Sequence, residues 1–114
     1  MVMSEKPSII WQGLSGIKYR YWIYPPGTTF KKQPGNYIFA REVLPGTWVP
    51  RLIGQTNNLC DRVEGHDEDE CVKRYGLTYI HAHVNDGGES VRKAEEMDLV
   101  MLWKPPCNDQ YVNE

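Results

Sequence analysis

Two β-forming runs, residues 35–43 (GNYIFAREV) and 48–55 (WVPRLIGQ), stand on either side of Leu44-Pro45-Gly46-Thr47. This arrangement narrows the folds open to the chain more than any other feature. Proline presets one backbone angle of a turn and glycine accepts a positive one, so the two runs are expected to form an antiparallel hairpin.

The rest of the chain supplies what packs around it. Residues 17–24 (IKYRYWIY) alternate Ile17, Tyr19, Tyr21 and Ile23 with Lys18, Arg20, Trp22 and Tyr24, the period of a strand, and Pro25-Pro26-Gly27 stops it. Residues 28–34 read as a loop with two lysines, and residues 1–15, without sustained periodicity, as a loose N-terminal arm whose Ile9, Ile10 and Trp11 can dock on the body. Asn57 or Asn58 can cap a helix running through Arg62 toward His66, with Gly65 as its end or interruption. Asp67-Glu68-Asp69-Glu70 puts negative charge at the start of a second short helix reaching Tyr75, where Gly76 can stop it. Residues 77–84 (LTYIHAHV) read as a strand and residues 89–102 as a long helix, apolar on most of its circumference in its last two turns and so expected to pack between the sheet and other elements. Lys104-Pro105-Pro106 ends it. The expected architecture is a mixed α/β (α+β) domain, a small, mostly antiparallel sheet flanked by helices.

At 114 residues, 40% of them hydrophobic, the chain suits one domain with a core of its own. No apolar run approaches the length of a membrane span. Cys60, Cys71 and Cys107 form no close pair, which points away from a disulfide framework or zinc knuckle and toward a reducing, cytoplasmic setting. The net charge of −2 conceals a division: residues 1–56 carry +5 and the remainder −7. A chain so divided can still turn a basic surface toward an anionic polymer. Lys18-Tyr19-Arg20-Tyr21-Trp22 interleaves cations with aromatics, as nucleic-acid surfaces do, and Lys31 and Lys32 follow in the loop. The same tract equally suits a strand with its aromatics in the core. His81 and His83 share one face of their strand, either as two ligands short of a zinc site or as structural residues.

Taken together, Gly35-Asn36-Tyr37, Leu52-Ile53-Gly54 followed by Gln55-Thr56-Asn57-Asn58-Leu59, Arg62, His66, and Glu96 twelve residues before Asn108 form an ordered series. Over residues 35–110 this series resembles the GIY-YIG nuclease domain, the catalytic module of the incision subunit of bacterial excision repair and of certain homing and restriction endonucleases. The resemblance makes residues 35–110 the core and residues 1–34 an arm with an extra N-terminal strand. It implies divalent-metal-dependent hydrolysis of DNA phosphodiester bonds. By the same resemblance Tyr37 handles the nucleophilic water, Arg62 holds the scissile phosphate, Glu96 holds Mg²⁺ or Mn²⁺, and His66 and Asn108 support the site. These roles suit the residue types. A guanidinium binds two phosphate oxygens and stays charged, and one carboxylate plus waters is a common way to hold Mg²⁺. Glu95 rivals Glu96, and only the spacing to Asn108 selects between them. A tyrosine hydroxyl ordinarily titrates near 10 and needs a neighbouring cation or metal-bound water to act at neutral pH.

Leu52 departs from the family, whose second motif begins with tyrosine. The alternative is therefore a weakened or inactive module that keeps nucleic-acid binding or protein interaction. The expected nucleic-acid contacts are Lys18, Arg20, Lys31, Lys32 and Arg62. With no room for a separate targeting domain, such a chain uses its own N-terminal strand and loop, forms a homodimer, or depends on a partner.

Overall fold

The computed structural model describes residues 7–66, 70–76 and 78–108. Five strands, β1 (Ser8–Gln12), β2 (Lys18–Tyr24), β3 (Gly35–Leu44), β4 (Thr47–Thr56) and β5 (Tyr79–Val84), form one sheet in the order β1-β2-β5-β3-β4, with every pairing antiparallel. β5 is central, with the β1–β2 hairpin on one side of it and the β3–β4 hairpin on the other. The helices are α1 (Leu59–His66), α2 (Glu70–Arg74) and α3 (Glu89–Trp103), and a 3₁₀ turn, η1 (Pro106–Asn108), follows.

The alternation of the strands sorts their side chains between two faces. Tyr37, Phe39, Leu52, Ile80 and Ala82 pack with Leu59 and Val63 of α1 and Val72 of α2. Residues one step out of phase, Tyr21, Ile38, Ala40 and Ile53, pack with Trp11 and with Leu99 and Val100 of α3. The Pro45-Gly46 turn forms as the sequence predicts, with Gly46 at φ 79°. Thr56 and Asn58 set the start of α1: the Asn58 amide donates to Thr56 Oγ1 at 3.0 Å, and Asn58 Oδ1 accepts from the amide of Asp61 at 3.3 Å. Gly65 lies within α1, and Gly76, at φ 81°, follows α2. α3 ends at Lys104 in the left-handed region, its amide donating to the Val100 carbonyl at 2.8 Å.

Three expectations are corrected. The N-terminal arm is not loose over its whole length, because Ser8–Gln12 is a strand registered on β2 from Ser8↔Trp22 to Gln12↔Lys18. Its inward residue Trp11 is 3% exposed. Asp98 of α3 ties down the turn between these strands by accepting hydrogen bonds from the Ser15 amide (2.8 Å), the Ser15 hydroxyl (2.6 Å) and the Tyr19 hydroxyl (2.8 Å). Second, among the described residues α3 is covered on one side only. Arg92, Glu95, Glu96, Leu99 and Val100 are buried, while Met97, Met101, Leu102 and Trp103 stand exposed. Third, Cys71 and Cys107 are joined in a disulfide, 36 residues apart with Cα atoms 5.7 Å apart, leaving Cys60 as a free thiol. Only the fold, by setting α2 beside η1, makes that pair, so cysteine spacing no longer argues for a reducing compartment. No helix among the described residues is long and apolar enough to cross a membrane.

Candidate functional site

Of the motif residues, Asn108 and Arg62 lie along the free edge of β4, and Tyr37 lies one strand in from it. Tyr37 lies opposite Gly54, and its ring crosses that glycine so closely that a Cβ there would sit 2.4 Å from the Tyr37 hydroxyl. Any side chain at position 54 would displace the ring. On the neighbouring residue, Asn108 clamps the backbone: its Oδ1 accepts from the Ile53 amide and its Nδ2 donates to the Ile53 carbonyl, both at 2.8 Å. Ile53 has both backbone groups unused on this side because β4 is the last strand. The Cys71–Cys107 disulfide fixes the residue before Asn108.

Just beyond, at the end of β4, Arg62 and Arg92 line a shallow depression of about 230 Å³ with Gln55, Thr56, Asn57 and Glu89. Arg62 is exposed, whereas Arg92 is 6% exposed and held by Nε donating to Gln55 Oε1 at 3.0 Å and Nη1 donating to the Asn85 carbonyl at 3.3 Å. Tyr37 and Glu96 do not line this depression. Tyr37 belongs to the face covered by α1, and Glu96, 5% exposed, lies on the buried stripe of α3 one turn beyond Arg92, on the opposite face. β4 is the one strand separating the Tyr37 hydroxyl from the outer edge. His66 ends α1, and its side chain lies outside the described residues, as do residues 67–69.

No family model, curated protein or solved structure matches this chain.

The α3 face carries a polar row that the sequence reading did not assemble. Tyr21, His83, Asn36 and Gln55 come from four adjacent strands, with Asn36 registered to both His83 and Gln55. Glu95 binds one end of the row: Oε2 accepts from the Tyr21 hydroxyl at 2.6 Å and meets His83 Nε2 at 2.8 Å, and Oε1 accepts from Asn85 Nδ2 at 3.3 Å. Asn85 Nδ2 also donates to Asn36 Oδ1 at 2.9 Å, and Asn36 Nδ2 donates to the Arg92 carbonyl at 3.0 Å. With both oxygens committed to protein partners, Glu95 is a structural acid.

His83 Nδ1 faces the Val84 carbonyl at 3.0 Å while Nε2 faces Glu95, so each ring nitrogen meets an acceptor. Burial alone lowers the pKa of His83, but the hydrogen bond to Glu95 and its charge outweigh burial, and the net shift is upward. The Tyr21 hydroxyl is pushed well above its ordinary value by burial and then by Glu95. His81 accepts a hydrogen bond at Nδ1 from Trp11 Nε1 at 3.0 Å, and burial lowers its pKa to about 4, so it is neutral at pH 7. The two histidines share a face, yet no group of three or more His, Cys, Asp or Glu that could hold a metal exists among the described residues. Asn36, Arg92 and Glu95 occupy positions that strand and helix periodicity turn inward. That conflict of polarity with phase was the available signal.

Of the expected cationic contacts, Arg20 and Lys31 line one cleft on the α1 face, whereas Lys18 and Lys32 are exposed and lie outside it.

Proposed function

We propose that the chain is a GIY-YIG-type endonuclease hydrolysing DNA phosphodiester bonds with a divalent metal, its reacting centre at the outer edge of β4. The observation that carries the reading is the meeting there of motif residues far apart in sequence. The Tyr37 hydroxyl lies over Gly54, and Asn108, 55 residues from Ile53, holds the adjoining backbone. Arg62, a few residues further along the same edge, offers an exposed guanidinium for a phosphate, with Arg92 beside it. Tyr37 orients the attacking water through its hydroxyl. Asn108 keeps the strand edge from shifting as charge develops on the phosphate.

Glu96 is the residue that would hold Mg²⁺ or Mn²⁺. A single hard carboxylate, with waters and substrate oxygens completing the shell, fits these ions and not a zinc site. The metal, when bound, supplies Lewis-acid stabilisation of the phosphoryl oxygens. Nucleic acid is the partner in this reading, DNA by preference.

Leu52 favours a second reading. It is 4% exposed within the apolar cluster of Tyr37 and Phe39, so no hydroxyl reaches Tyr37 from position 52. Loss of one such group costs on the order of 10²–10³ in rate, which would leave a slow enzyme or a binding module. Incubation of single-stranded, duplex and branched DNA with Mg²⁺ or Mn²⁺ separates the two. Cleavage that rises in Leu52→Tyr supports a nuclease lacking one part. Metal-independent binding without cleavage, in both proteins, supports the module.

A further inference from the structure

The β1–β2 hairpin lies outside the segment that resembles a nuclease, yet β2 and the 25–34 connection build a cleft of about 580 Å³, within the roughly 300–1,000 Å³ of small-ligand sites. Its floor follows the alternation of β2, with Arg20 and Trp22 on the face opposite Tyr21. Ala82 of β5 pairs directly with Trp22, and its small side chain keeps the floor low beside the indole. Trp22 keeps 37% of its surface exposed. Phe30 and Lys31 also line the cleft, and Phe30 meets Tyr24 edge-on at 4.9 Å. Arg20 is braced by Nη1 donating to Ser8 Oγ at 2.8 Å.

An accessible indole flanked by two exposed cations matches a ligand with one flat π-face and adjacent negative charge. Bases stack on such rings whatever their sequence, and lysine and arginine neutralise the phosphates between them. A base inside a duplex has both faces covered by its neighbours and cannot offer one. We propose that this cleft takes an unpaired nucleotide of single-stranded DNA, its base on Trp22 and its phosphates against Arg20 and Lys31. The proposal rests on the nucleic-acid reading above and narrows its substrate to DNA with an unpaired strand. Leu59, which lines the cleft and belongs to the same apolar cluster as Tyr37, begins the helix that carries Arg62 one turn later.

Fluorescence anisotropy with a short labelled oligothymidylate, Glu96→Gln protein and EDTA reads binding without cleavage. Adding Trp22→Ala should weaken binding by roughly 5- to 150-fold, the range that stacking of one base supplies, while Trp22→Phe retains most of it. Lys31→Gln should lower the slope of log K against log salt by about 0.7. A strand of abasic sites should bind the parent as weakly as oligothymidylate binds Trp22→Ala. The proposal is overturned if Trp22→Ala binds like its parent, if the abasic strand binds as well as the intact one, or if duplex is preferred. Cleavage by wild type that needs Glu96 but ignores Trp22 and Lys31 sinks the cleft and spares the nuclease. Trp22-dependent binding with no cleavage by wild type does the reverse.

Discussion

The two faces of this sheet bury comparable residues by different means. Under α1 and α2 the contacts are apolar, from Tyr37 and Phe39 through Leu52 to Val63 and Val72. Under α3 a hydrogen-bonded row from Tyr21 through Glu95 and Asn36 to Arg92 shares the interior with Leu99 and Val100. Apolar packing tolerates substitution in proportion to the volume lost, whereas a polar row fails when one member leaves its partners unsatisfied. The apolar face carries the departure at Leu52, and the polar face fixes Arg92 and the stripe on which Glu96 sits. A substitution at Leu52 on one side is therefore expected to leave the Glu95 and Arg92 hydrogen bonds on the other undisturbed.

The sharpest way to break this contrast is a pair of truncations of similar size. Glu95→Ala strands the Tyr21 hydroxyl and the His83 imidazole and should cost about 3–5 kcal/mol. Phe39→Ala, at 1% exposure, should cost about 3–5 kcal/mol through its cavity. The two differ in pH dependence. His83 has a raised folded-state pKa, so its stabilisation is full below the unfolded value near 6.5 and is lost as pH rises through the folded value. Urea titrations should therefore show the Glu95→Ala deficit shrinking at alkaline pH and the Phe39→Ala deficit staying constant. A flat Glu95→Ala deficit would make the polar row mere packing.

Next in size is the disulfide between α2 and η1. Closing a loop of this length stabilises by about 3–4 kcal/mol in the chain-entropy account, so a Cys71→Ser, Cys107→Ser double variant should lose up to that much. Hydrogen exchange at the Ile53 amide should speed up, because Asn108 loses its anchor. Unchanged exchange would show that Asn108 holds β4 unaided.

His81 gives a smaller, acid-side effect. Its folded pKa of about 4 lies below the unfolded value, so the unfolded chain binds the extra proton as pH falls through 6.5 toward 4. Between pH 7 and pH 5 this should remove about 2 kcal/mol of stability. The destabilising acid-side slope should vanish in His81→Gln whatever its absolute stability, leaving only the opposite-signed contribution of His83. A slope that survives belongs to another group.

Leu52→Tyr, which overfills the apolar face, should cost about 1–3 kcal/mol. The polar row should keep its response to pH.

The β3–β4 hairpin and α3 were legible because their periodicity is long and bounded by proline and glycine. β1 was not, since five residues carry too little alternation and Ile9 and Trp11 find their place only against β2. The register across four strands that joins Tyr21, His83, Asn36 and Gln55 is non-local, and no window along the chain contains it. Asn36 was visible in the sequence, but its hydrogen-bond partners were not, since they lie 49 and 56 residues away. Its side-chain amide ties β3 to Arg92 of α3 and to Asn85, just past the end of β5. Spacing to Asn108 is all that points to Glu96 over Glu95; the bonds of Glu95 to Tyr21, His83 and Asn85 come only from the fold.

Single-turnover cleavage of DNA bearing an unpaired strand, with Mn²⁺ and with Glu96→Gln and Glu95→Gln in parallel, tests the central claim most directly. The account predicts wild-type cleavage, a loss on the order of 10²–10³ in folded Glu96→Gln, and cleavage retained by Glu95→Gln at temperatures where it stays folded. No cleavage by wild type, or equal rates for Glu96→Gln and wild type, would contradict it.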